Sequence, residues 1–99
     1  MMNYFLYVLI RPRPAFPADI TGPEAAIMGK HVEYWRGLLE QGRTVAFGPV
    51  SDLADAGGIA IVEAETEDDV RRLGEADPAV TTGLTTFRVS PMPGALVRS

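Results

Sequence analysis

His31 and Asp77 are the two side chains of this sequence whose types and settings suit acid–base chemistry. His31 is the only histidine of the chain. It sits in a stretch, Thr21 to Gly42, that reads as one long amphipathic helix, and at about 100° per residue it falls inside the apolar arc, between Leu38 and Trp35. A polar ring there finds a partner or loses about 1–3 kcal/mol to desolvation. The position admits two readings. In one, His31 is a core histidine satisfied by a backbone carbonyl. In the other, it is an imidazole at the floor of a pocket held by a carboxylate, a role for which its unperturbed pKa of about 6.5 suits it.

Asp77 supplies the carboxylate of the second reading. It is read as the last residue of a second helix, where the macrodipole disfavours a negative charge by about 0.3–1 kcal/mol, and a local rule broken in this way points to a functional constraint. The plainer account is an Asx-turn onto a backbone N–H just past Pro78. If both helices lie on one sheet face, Asp77 can approach His31, fix its tautomer and raise its basicity, the minimum equipment for general acid–base catalysis.

The elements that must position this pair are legible along the chain. Tyr4 to Ile10 is a strand with both faces apolar, so it is covered on both sides. Arg11 to Gly22 is proline-rich and excludes helix and central strand. Its simpler account is a stiff, solvated polyproline-like connector. In the other account, it is a binding loop in which Arg11 and Arg13 meet an anionic substrate and Phe16 closes over it. The long helix opens with a capping box, Thr21 to Glu24, and stops at Gly42. Ile27, Met28, Val32, Tyr34, Trp35, Leu38 and Leu39 form its apolar half. Arg43 to Val50 is the second strand, bent or ended by Gly48 and Pro49. Ser51 to Gly58 is a loop with Gly57 and Gly58 as its turn, and Ile59 to Glu65 is the third strand. Thr66 opens the second helix, with Val70, Leu73 and Ala76 as its stripe, and Pro78 stops it at Asp77. Ala79 to Gly83 is a loop, Leu84 to Ser90 the last strand, and Pro91 to Ser99 a tail.

The order is β-α-β-β-α-β, an α+β ferredoxin-like domain spanning residues 1–99, with a four-stranded antiparallel sheet and both helices on one face. The other face stays bare and apolar, which marks an interaction surface; a two-fold homodimer, sheet against sheet, is the simplest closure.

Composition narrows the function. The chain has 99 residues, 46% of them apolar and 22% charged, with a net charge of −4. An acidic chain without a basic stripe argues against nucleic acid and anionic membrane surfaces as partners. No cysteine is present, so thiolate chemistry and disulfides are excluded, and one histidine argues against a structural zinc site. The first apolar run is too short to cross a bilayer and lacks signal-peptide features, so the chain is expected in the cytoplasm. No G-x-S-x-G elbow and no phosphate loop is present.

The segments HVEYW around His31, AFGPVSD at Ala46 to Asp52, GIAIVEAET, EADPAVTTGL at Glu75 to Leu84, and the closing VSPMP resemble the YciI-like family over nearly the whole chain. The resemblance implies a ferredoxin-like fold that dimerises sheet to sheet into an α+β barrel. It also implies a site built on His31 and Asp77, and lyase- or isomerase-type chemistry on small cyclic oxygenated compounds without metal or organic cofactor, as in dehydrochlorinases or muconolactone isomerases. The proline-rich first loop departs from the family's short form, so Arg11 and Arg13 are not carried over as site residues. Tyr34 and Trp35 are expected to line or floor the cleft. Gly48 and Pro49 are placed to let a ligand approach the backbone, and Ser51 and Asp52 to add a hydroxyl or carboxylate. A non-catalytic dimeric domain that binds a ligand or serves as an accessory is the alternative.

Overall fold

The computed structural model describes residues 2–98; Ser99, the last residue of the expected tail, lies outside them. The elements run β1 (Asn3–Ile10), α1 (Gly22–Glu40), β2 (Thr44–Pro49), β3 (Ala56–Ala64), α2 (Glu67–Glu75), α3 (Pro78–Thr81) and β4 (Thr86–Pro91). The four strands form one antiparallel sheet in the order β2-β3-β1-β4, the ferredoxin-like arrangement expected from the element order.

Strand alternation sets the core. Phe5, Tyr7 and Leu9 of β1 share a face with Ala60, Val62 and Ala64 of β3, and there they meet Trp35 and Leu38 of α1 and Val70 and Leu73 of α2. Both long helices therefore cover the same side. On the other side Leu6 lies across from Ile61 and both are half-buried, while Val8 is buried. The helix starts obey their sequence signals. Thr21 accepts from the Glu24 N–H while Glu24 reaches back to the Thr21 N–H, and Thr66 and Asp69 do the same for α2. Gly42, with φ 76°, supplies the left-handed residue after α1.

Four expectations need correction. First, α2 ends at Glu75, and Asp77 does not close it. Residues preceding proline avoid the α region, so Asp77 is extended (φ −64°, ψ 128°) and caps a further helical turn, α3, in place of the loop expected at Ala79 to Gly83. Second, Gly57 and Gly58 are not a turn but part of β3. A Cβ on Gly58 would stand 3.1 Å from the Gly48 carbonyl oxygen, and one on Gly57 would stand 3.0 Å from the Arg11 side chain, so strand packing needs their bareness. The chain reverses earlier, through Asp52 and Ala54, both at positive φ. Third, the apolar face of α1 is narrower than the wheel implies. Trp35 and Leu38 are buried, whereas Val32 and Leu39 are exposed.

Fourth, the proline-rich segment is not a solvated polyproline connector. It coils into turns closed by Phe16 N–H to Arg13 O, Ala18 N–H to Ala15 O and Ile20 N–H to Pro17 O, and the Phe16–Pro17 peptide bond is cis. Arg13 lies over the Phe16 ring and ties the segment to α1 through Glu24, with Asp19 as a second carboxylate partner. Phe16 is buried.

Candidate functional site

The site grows from the way α3 abuts α1. On α1, Met28, His31, Trp35 and Leu38 keep helical spacing and make one stripe toward the sheet. Opposite them, the cap residue of α3 presents its carboxyl to that stripe. Asp77 is fully buried, with 0% exposure. A buried carboxyl is tolerated only when its oxygens are satisfied; here it makes four contacts, and in the three whose direction is fixed it accepts. Oδ2 lies 2.7 Å from His31 Nδ1, accepts the Trp35 indole N–H at 2.8 Å and accepts the Tyr7 hydroxyl at 3.4 Å. Oδ1 accepts the Ala79 backbone N–H at 2.9 Å. The Asx-turn and the histidine contact, alternatives in the sequence, thus coexist, one per carboxyl oxygen.

This geometry assigns the imidazole tautomer. Oδ2 already accepts from the Trp35 indole and the Tyr7 hydroxyl, and as an acceptor toward His31 as well it leaves the hydrogen on Nδ1 and the lone pair on Nε2, on the opposite edge of the ring. The Tyr7 phenol is held above its ordinary pKa, first by burial and then by the adjacent Asp77, so it remains a neutral donor. Its ring packs on Trp35 at 4.6 Å between centroids and on Phe87 at 5.2 Å, which fixes the hydroxyl under the carboxyl.

His31 also lines a cavity of about 240 Å³. The walls come from the sheet (Tyr7, Leu9, Phe47), from α1 (Met28, Trp35) and from the first loop (Phe16, Ile20). A void of about 150 Å³ accommodates benzene, so this one has room for a single substituted ring.

Of the expected site residues, His31, Asp77 and Trp35 are brought into contact, and Gly48 and Pro49 line the cavity. Tyr34 does not line it: the hydroxyl donates to the Leu73 carbonyl at 2.6 Å and the ring packs edge-on against Trp35. Ser51 and Asp52 lie in the exposed β2–β3 reversal, outside the cavity lining. Two contributors, Tyr7 and Thr85, are not evident from sequence. Tyr7 reads there only as part of an apolar strand, although a tyrosine on a buried strand face calls for a hydroxyl partner. Thr85 lines the cavity although nothing local marks it, and Arg11, which the binding-loop account names, lines it too, whereas Arg13 does not.

Comparison with known proteins agrees with this architecture. No curated protein matches the chain. Among solved structures, the chain is similar to 5-chloro-2-hydroxyhydroquinone dehydrochlorinase from Burkholderia phenoliruptrix AC1100, solved in complex with 2,5-dihydroxybenzoquinone, with 23% identity, 96% of each chain covered and a TM-score of 0.63. That likeness is one of fold. The family model of the YCII-related domain matches residues 2–93, and with nearly its whole length so matched, the chain belongs to the YCII-related domain family.

Proposed function

We propose that this protein, read as one YCII-related domain over residues 1–99, is a small-molecule enzyme of lyase or isomerase type, in which His31 moves a proton and Asp77 orients it. The observation that carries the reading is the 2.7 Å contact between His31 Nδ1 and the buried Asp77 carboxyl, made at the wall of an apolar cavity. Asp77 holds the ring so that Nε2 is the free base. As Nε2 takes a proton from an enolisable or hydroxylated ring, the imidazole becomes a cation beside the Asp77 carboxylate, which stabilises it in the low-dielectric interior. The same nitrogen then returns the proton elsewhere on the ring, for isomerisation, or to a departing group, for elimination. The apolar walls exclude water from the intermediate.

The reading needs neither metal nor organic cofactor, in line with the family resemblance. Substrates are monocyclic oxygenated compounds, a class supported by the cavity volume and by the quinone bound in the similar dehydrochlorinase. The working unit is a homodimer joined through the open sheet face, supported by the half-buried Leu6 and Ile61 there. The alternative, a non-catalytic dimeric ligand-binding or accessory domain, shares the cavity but not the proton transfer.

The test is turnover of chlorinated hydroquinones and lactones by purified wild type, His31→Ala and Asp77→Asn. Loss of about 10²–10⁴-fold in kcat/KM is expected from His31→Ala. Equal turnover by all three proteins would remove the assigned roles. Binding without turnover in any of them would favour the alternative.

A further inference from the structure

Two buried polar atoms beside the cavity have no hydrogen-bond partner among the described residues: Arg11 Nε and the Thr85 hydroxyl. Unpaired buried polar groups are rare in folded proteins and each calls for a cause. Both residues belong to the cavity lining. The β1–β4 ladder closes with the pair Ile10 and Thr86, and Arg11 and Thr85 each lie one residue beyond it.

The rest of the Arg11 side chain is engaged. Its two Nη groups donate to the Pro14 carbonyl, at 3.1 Å, and to the Ala54 carbonyl, clipping the first loop and the β2–β3 reversal together over the sheet edge. Those partners are neutral. The carboxylate whose field Arg11 feels, Asp55, is held by both terminal nitrogens of Arg88. Among the described residues, Arg11 thus brings a positive charge without a bonded carboxylate, and a free Nε–H, to a cavity otherwise lined mostly by apolar side chains.

We infer that Arg11 and Thr85 form an anionic-oxygen subsite at the strand end of the cavity, which orients a carboxylate, phenolate or enolate oxygen of the ligand while His31 faces a different part of the ring. The inference rests on the cavity being the ligand site and not on His31 acting as a catalyst. Charge-assisted hydrogen bonds are worth about 1.5–3 kcal/mol, so the subsite accounts for at least about a tenfold preference for an anion over its neutral isostere.

The isosteric probes benzoate and benzamide test it by calorimetric titration of wild type, Thr85→Val, Arg11→Lys and His31→Ala. Wild type is expected to bind benzoate at least about tenfold more tightly. Thr85→Val, which keeps the shape and removes only the hydroxyl, cuts benzoate affinity by about that factor, and its melting temperature stays level or rises because an unpaired buried hydroxyl has gone. Arg11→Lys keeps the charge but loses Nε and weakens the preference. His31→Ala retains the preference even where all turnover is lost, which separates this subsite from the proton-transfer reading. Four results overturn the inference: equal affinities in wild type, no saturable benzoate binding, a preference that disappears in His31→Ala, or a marked drop in the melting temperature of Thr85→Val, which would reveal a buried water already satisfying the hydroxyl.

Discussion

Replacing Asp77 by Asn removes a charge and almost no volume, and the four contacts of the carboxyl determine the consequence. The amide has two orientations. In the first, its oxygen faces the Ala79 N–H and keeps the cap, for which Asn serves as well as Asp. Its NH₂ then faces three groups that donated to Oδ2: His31 Nδ1–H, the Tyr7 hydroxyl and the Trp35 indole N–H. The histidine can change tautomer and the phenol can rotate, but the indole can only donate. Trp35 is 1% exposed, so water does not replace the lost acceptor. In the second orientation the oxygen keeps Trp35 and the NH₂ confronts the buried Ala79 N–H. Either way one buried donor is orphaned, at about 1–3 kcal/mol, and in a domain of this size each kcal/mol lowers Tm by about 4–8 °C.

The first orientation keeps the cap and asks of the imidazole only a change between two neutral tautomers, so it should prevail. His31 then carries its hydrogen on Nε2 and loses the lone pair needed on the edge away from residue 77. Because the chain has one histidine, the tautomer can be observed directly: a long-range ¹H–¹⁵N spectrum of tag-free protein contains a single set of imidazole signals. The expected result is an Nδ1–H pattern in wild type, an Nε2–H pattern in Asp77→Asn, a lower Tm, and about 10²–10⁴-fold less turnover on any substrate found. A variant with the wild-type tautomer and an unchanged Tm would refute the account of how Asp77 holds the ring.

Three further predictions concern the scaffold. Gly74→Ala should destabilise: a Cβ there meets the Phe87 and Tyr7 rings at 2.8 Å, and overpacking of about 1–3 kcal/mol outweighs the helix-propensity gain of up to about 1 kcal/mol, as urea titration will register. Arg13 and the α1 cap lower the Glu24 pKa from 4.5 to about 2, a depressed carboxylate whose stabilisation is complete above 4.5 and is lost as pH falls from 4.5 toward 2; the Tm gap between wild type and Glu24→Gln should therefore close across that window. Ile61→Glu places a charge on the open sheet face opposite Leu6, and sedimentation should show a dimer for wild type and a monomer for the variant with His31–Asp77 chemistry otherwise intact.

The parts of the fold that sequence makes legible are those with a local physical signature. Both capping boxes, the apolar β1 run and the place of His31 on an oily helical stripe depend on residues within a few positions of one another. The parts that sequence hides depend on distant residues. Gly57 and Gly58 look like a turn in isolation, and only the approach of Gly48 and Arg11 makes them strand residues. Phe16 looks like a residue of a solvated connector until Arg13 and the cavity wall enclose it. Arg11 and Thr85 share one cavity only because the β1–β4 ladder ends beside both of them, which no local pattern in either segment specifies.

Asp77 is the case in which an apparent violation of a local rule is informative although the rule itself is not broken. The residue is not stranded at the negative end of a helix. Pro78 forces it out of the α region, and that same extended backbone lets one carboxyl oxygen cap α3 while leaving the other free to point away from its own segment. A residue that only capped a turn would sit comfortably in water. This one is fully buried, and the desolvation of its second oxygen is offset by donors brought from α1 and β1. The cap fixes the position of Oδ2, Oδ2 holds the imidazole, and the imidazole stands at the cavity wall, so a feature of local backbone geometry determines which nitrogen the carboxyl leaves free.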